Sequence, residues 1–257
     1  VLFVPLVCII LLGTSVVSGR SAFNKGVGLS LLGLWILAII VAANTGIRLV
    51  PQIQEIVEND PSYQMETRVL PLTGFTAIEV KGYDSVEILQ SENFEVTVRG
   101  RVRDLDRAVT AIENNTLTVD RNREQRCLFC SHGHIHYTIY MPKVSSVTAT
   151  GASRVTAILD AATFTAAVSG ASRLEAYGTA TRLELNLDGA SRVNAQNLAA
   201  SQVRITSDGA SRVNLKKVDE LQVDLDGAST VIYEDAAKVT ESRRGASRII
   251  KRSINNQ

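Results

Sequence analysis

Apolar and polar residues alternate with period two through the second half of the chain. Leu183, Leu185 and Leu187 do so in one stretch and Leu221, Val223 and Leu225 in another. Phe164, Ala166 and Val168, then Val203 and Ile205, repeat the pattern. Such alternation predicts short strands with one buried face each. No stretch of helical period and adequate length follows residue 114. The runs are punctuated by Gly-Ala-Ser at Gly151, Gly170, Gly189, Gly209, Gly227 and Gly245, at spacings of 19, 19, 20, 18 and 18. Strands without helices at a period of about 19 residues predict an all-β parallel β-helix, or solenoid.

The tripeptide has a structural logic. Gly supplies a corner conformation closed to other residues, and Ala lets successive coils stack about 4.7–4.9 Å apart. Ser can bond along its own ladder or back to the turn backbone. A catalytic Ser is disfavoured, because the copies share no fixed His or acid partner. The first half echoes the design: Phe75–Gly82 and Phe94–Gly100 each end an alternating run with Gly, 18 residues apart. Asp104–Asn114 is the one helical candidate there, placed to cap the solenoid's open edge. Leu117–Val119 resumes the strands, and Ile135–Met141 leads into the first clear repeat.

The N-terminal pattern differs. Val1–Val17 and Val27–Ala43 are uncharged apolar runs of 17 residues each. At about 1.5 Å per residue such a helix just spans a hydrocarbon core of about 30 Å, and flanking residues lengthen both. A cleaved signal peptide would account for the first run only. A buried hairpin is the alternative, disfavoured because neither run shows a polar face. Residues 1–47 thus predict a hairpin of two transmembrane α-helices, 48–66 a juxtamembrane linker, and 67–257 the β-solenoid domain. The short loop between the runs carries Arg20 and Lys25, which places it in the cytoplasm and everything after residue 47 outside. The chain opens on Val within an apolar run, which reads as a fragment lacking its upstream portion.

Charge narrows the function classes. Lys plus Arg number 27 against 26 Asp plus Glu, which argues against nucleic acid as a partner. Hydrophobic residues make up 45% and aromatics only 5%, as suits tight stacking of Ala, Val, Leu and Ile. Three cysteines are too few for a disulfide scaffold.

Two constellations carry candidate chemistry. The third residue after each repeat glycine is Arg154, Arg173, Arg192, Arg212, Thr230 and Arg248, and the residue before it includes Asp188, Asp208 and Asp226. One reading is a surface ladder neutralised by those aspartates; the other is a linear site for anionic glycans or polymer phosphates, which Arg grips bidentately. The second constellation is Cys127, Cys130, His132, His134 and His136, within ten residues. Thiolate and imidazole at this spacing could hold zinc or copper, the two cysteines could form a disulfide, or the segment is a polar face beside a loop. Otherwise no cofactor is expected. Polysaccharide cleavage by paired carboxylates is the enzymatic contrast, disfavoured because the recurring acids form a column with no isolated pair.

The run from Phe75-Thr-Ala-Ile-Glu-Val80 through Val86-Glu-Ile88, Leu117-Thr-Val119, Tyr140-Met-Pro-Lys-Val144 and the Gly-Ala-Ser-Arg-Val copies resembles the head GIN domain of autotransporter adhesins, over roughly residues 69–251. The resemblance implies a right-handed β-helix of the bacterial envelope with no established activity. The hairpin, with Asn24-Lys25-Gly26 leading to Leu34-Trp35-Ile36, is similar to membrane regions of phage-shock-protein C-like proteins. The expected protein is a multi-pass protein of the bacterial cytoplasmic (inner) membrane whose C-terminal domain is periplasmic or extracellular. It would bind, adhere or scaffold, with the membrane, an envelope or extracellular polysaccharide, or another envelope protein as partner. The alternative is an envelope-stress sensor whose cytoplasmic part is missing.

Overall fold

Alternation along the chain becomes the two faces of a coiled sheet. The computed structural model describes residues 61–121 and 133–252. After a short 3-10 turn at Pro61–Tyr63 come β1 (Met65–Leu70), β2 (Ala77–Val80), β3 (Ser85–Gln90) and β4 (Glu95–Arg101). A one-turn helix α1 (Val102–Leu105) precedes β5 (Ala108–Glu113), β6 (Thr116–Arg121), β7 (His136–Met141) and β8 (Ser146–Ala149). The repeats supply β9 (Arg154–Val168), β10 (Arg173–Leu187), β11 (Arg192–Ser207), β12 (Arg212–Leu215) and β13 (Lys217–Leu225). The chain closes with β14 (Thr230–Tyr233), β15 (Asp235–Arg243) and β16 (Arg248–Lys251).

From β9 onward every pairing is parallel, and each residue lies against its counterpart one coil away. The register stacks Val155, Leu174, Val193, Val213 and Val231 into one buried column. Phe164, Leu183, Val203 and Leu221 form a second column on the facing wall. Mostly aliphatic side chains stacked at the strand spacing fill the interior with few aromatics, Phe164 among them, consistent with the low aromatic content.

Stacking order and chain order part company at the N-terminal end. β2 lies between β6 and β8, and β3 lies between β7 and β9, so the coil made by β6 and β7 sits outside the coil that precedes it in sequence. Beyond it the pairing turns antiparallel, β4 against β7 and β1 against β4 on one wall, β5 against β6 on the other. The helix expected over 104–114 is corrected: α1 ends at Leu105 and residues 108–113 are strand β5. Val109, Thr110 and Ile112 are β-branched, and the hairpin to β6 turns on Asn114 and Asn115, whose φ of 49° and 60° suits a two-residue type I′ turn.

The other end closes by charge. Along β15 the inward columns continue as Val239, Glu241 and Arg243 after Leu221, Val223 and Leu225, and Lys251 follows Tyr233 in β16. Arg243 pairs with Glu241 at 3.0 Å. Charged residues at inward positions of a terminal coil stop the core and discourage another strand from adding. Among the described residues no helix is long and apolar enough to cross a membrane; the two apolar runs expected to form the N-terminal hairpin lie outside them.

Candidate functional site

Each Gly-Ala-Ser turns one coil into the next. The six repeat glycines have φ between 70° and 99°. A Cβ on Gly170 would stand 2.5 Å from the carbonyl oxygen of Gly151, so each corner rests directly on the one before. The following Ala donates its N–H to the neighbouring glycine carbonyl, as Ala171 does to Gly151 at 2.7 Å. The Ser side chain turns inward. Ser153 donates to Ser172 at 3.2 Å, Ser191 and Ser211 share a bond of 3.0 Å, and Ser229 reaches the Gly209 carbonyl at 3.3 Å. With Ser inward, the next residue must face outward, and that residue is the arginine.

The arginines form one continuous row. Arg154, Arg173, Arg192 and Arg212 are successive Cα partners across β9, β10, β11 and β12, and the row passes through Thr230 to Arg248. In the opposite direction it continues through Ser85 of β3 to His136 of β7 and Arg99 of β4. None of Arg154, Arg173, Arg192, Arg212 and Arg248 makes an ion pair or side-chain hydrogen bond among the described residues. Two of the three aspartates expected to neutralise them are engaged elsewhere: Asp188 and Asp226 each accept the N–H of the following glycine at 2.7 Å, and Asp226 pairs with Arg244 at 3.3 Å. Asp208 lies in the same column, beside the corner, and is exposed. The facing wall carries a hydrogen-bonded ladder instead. There Arg182 donates to Gln202 at 3.1 Å, Gln202 to Glu220 at 3.5 Å, and Lys238 to Glu220 at 2.7 Å.

Of the thiol and imidazole cluster, only His134 and His136 fall within the described residues. Cys127, Cys130 and His132 lie outside the described residues. His134 places Nδ1 3.0 Å from the Tyr83 carbonyl and meets the Tyr83 ring edge-on. His136 stands in the arginine row with Nε2 3.9 Å from Glu87. Ile135, Tyr137 and Ile139 between and beyond them are buried.

A buried polar knot went unnoticed in the sequence. Gly82-Tyr-Asp-Ser-Val86 is a further corner: Gly82 has φ 96°, Ala152 donates to its carbonyl, and Val86 stacks on Val155. Gly100, by contrast, lies inside β4, against Leu105 and Ile135. Asp84 takes the buried Ser position, where it accepts two bonds from Arg121 and one from the Ile135 N–H. Arg121 also donates to Tyr83 and to the Gly133 carbonyl, while Asp104 accepts from the Gly133 N–H at 3.1 Å. Burial works against the charge on Arg121, but the bonds to Asp84 outweigh it and hold its pKa above the ordinary value. Gly178 is the other missed residue, a non-corner glycine of β10 with φ 106° whose Cβ would stand 2.0 Å from the Leu159 carbonyl oxygen.

Residues 74–236 match the family described as "Putative auto-transporter adhesin, head GIN domain". The chain belongs to that family. Ahead of its head GIN domain, residues 1–53 match the family described as "PspC transmembrane region". No curated protein matches the chain. Among solved structures, the head GIN chain is similar to a "putative adhesin" from Bacteroides fragilis at 17% identity and a TM-score of 0.63, over 75% of this chain and 99% of that one. It is also similar to a "putative adhesin" from Parabacteroides distasonis at 14% identity and a TM-score of 0.54, over 75% and 98% of the two chains. At these identities the likeness carries the fold.

Proposed function

We propose that this head GIN chain is a membrane-anchored module of the bacterial cell envelope whose solenoid, held outside the cytoplasm, binds an anionic envelope or extracellular polymer without cleaving it. The observation that carries the reading is the arginine row. Five guanidinium groups repeat along one edge with no partner among the described residues, whereas on the opposite wall Arg182 bonds to Gln202 and Lys238 pairs with Glu220. Like charges about 4.8 Å apart repel by roughly 0.9 kcal/mol per neighbour even in water, so an unpaired row is costly unless a ligand uses it. A polyanion lying along the row would meet a donor fork at nearly every coil. The match of residues 1–53 to a membrane region, and relatives named as adhesins, support the anchored binding role.

The test uses the full chain in lipid nanodiscs, applied to immobilised anionic and neutral polysaccharides, with retention and released sugar read in the same tube. The expected result is salt-sensitive retention on the anionic polymer, weakened about tenfold or more by Arg173→Gln/Arg192→Gln, with no release. Equal retention on neutral polymer would overturn the ionic reading, and sugar release would make the domain an enzyme.

A second reading is favoured by the membrane-region match: the solenoid is the outer part of an envelope-stress sensor. Deleting residues 67–257 from the chromosomal copy should then change envelope-stress transcription; an adhesion module changes attachment alone.

A further inference from the structure

Among the described residues, Ile158 is the one exposed large apolar side chain that does not sit on a strand at either end of the solenoid. The others among the described residues, Met65, Val69, Val109, Ile112, Val239 and Ile250, lie on β1, β5, β15 and β16. Ile158 also has company. Its Cα partners are Leu89 of β3 and Tyr177 of β10, and Leu89 is partnered in turn by Tyr140 of β7. Each of the four follows a buried residue in an alternating run, so all four side chains leave the sheet on its outer face. They form a strip of two phenol rings and two branched aliphatic chains across four strands.

The strip runs parallel to the arginine row on the same wall. Ser85, His136, Arg154 and Arg173 lie four residues before Leu89, Tyr140, Ile158 and Tyr177, a separation of about 13 Å along the strands. Midway between them runs a row of hydrogen-bonding side chains, Thr138, Glu87, Thr156 and Glu175, also in register. Tyr177 donates to Glu175 at 3.1 Å, which ties its ring to the middle row. One wall therefore carries a cationic edge, a hydroxyl and carboxylate centre, and an apolar edge.

We infer that this wall is a platform for an acidic polysaccharide. The sugar chain lies over the middle row, its acid groups toward Arg154 and Arg173 and its C–H faces against Ile158 and Tyr177. Pyranose rings offer all three chemistries: apolar ring faces, hydroxyls that donate to Glu87 and Glu175, and, in uronate-type units, a carboxylate. An inorganic polyphosphate has the charge but nothing to lay on the strip, and the two glutamates repel it. The inference rests on the reading of the arginine row as a polyanion site and names the class of polymer.

The experiment measures binding of three probes to the full chain in nanodiscs: oligogalacturonate, the same oligomer with its carboxyls reduced to alcohols, and inorganic polyphosphate of matched charge. Ile158→Ser and Tyr177→Ala change outward positions, and circular dichroism checks that the sheet is retained. Oligogalacturonate is expected to bind best, and each variant to weaken it about fivefold while leaving residual polyphosphate binding unchanged. Polyphosphate binding as tightly as oligogalacturonate, with neither variant affecting the latter, overturns the platform and leaves the arginine row standing. Failure of both polyanions to bind overturns the two readings together.

Discussion

Arg121 and Asp84 meet as a buried bidentate pair, Nε donating to Oδ2 at 2.7 Å and Nη2 to Oδ1, across 37 residues of sequence. Asp84 stands where later corners place Ser153 or Ser172, so the first corner has replaced a hydroxyl ladder with a carboxylate. Arg121→Met leaves that carboxylate buried without its counter-charge and is expected to cost about 3–5 kcal/mol. Asp84→Ser/Arg121→Met removes both charges of the pair and should cost less than the single change. Urea midpoints of the wild type and the two variants decide it.

The corner glycines are not equivalent. A Cβ at Gly82 meets open space, while at Gly170 it would stand 2.5 Å from a carbonyl oxygen. Gly82→Ala carries only the cost of a left-handed Ala, about 1–2 kcal/mol. Gly170→Ala should lose a further 1–3 kcal/mol or so, because two backbones must separate. Thermal melts of the two variants give the order.

The arginine row makes the fold sensitive to salt. At low ionic strength its members repel, and near 0.15 M the screening length falls to about 8 Å. The melting temperature of the wild type should therefore rise with salt. Arg173→Gln/Arg192→Gln should raise it by about 2–4 °C at low salt and flatten the salt response. A loss of stability in that variant would mean that the arginines are structural.

The strands, their period and the inward columns of the repeats were legible because alternation and Gly-Ala-Ser coincide for six corners. Three features were not. Residues 108–113 carry a pattern short enough to suit either a helix or a strand, and pairing with β6 decides. Asp84 hid because Gly82-Tyr-Asp-Ser shares only its glycine with the repeat, and its neighbour in the stack is 69 residues away. The aspartates next to the corners looked like partners for the arginines, but the Asp188 and Asp226 carboxylates turn to the corner N–H groups, and Asp226 also to Arg244. The apolar strip was invisible because its members come from four strands that only the stacking brings together.

Tyr137 is fully buried and its hydroxyl finds no hydrogen-bond partner among the described residues. Burial pushes its pKa above the ordinary tyrosine value, with Asp84 adding to the shift. A raised folded-state pKa means that its contribution to stability is intact below about pH 10 and is lost as the pH climbs further. Tyr137→Phe should leave stability at neutral pH unchanged or up by about 1 kcal/mol, and should delay alkaline unfolding. Denaturant titrations at neutral and alkaline pH test both halves.

Glu241 and Arg243 end two core columns. Glu241→Leu/Arg243→Leu would extend the apolar interior to an open strand edge. Sedimentation should then show concentration-dependent self-association that the wild type lacks.

The corners also bear on how such a protein can change in evolution. Each Gly-Ala-Ser touches only the coils directly above and below it, and spacings of 18, 19 and 20 residues are all accommodated. An in-frame duplication of one coil would slot into the stack without remodelling the cap at either end. It would add one guanidinium to the row and one more rung along the ligand's length. Under the polymer-binding role proposed above, repeat number would set valency, and selection could adjust it one coil at a time.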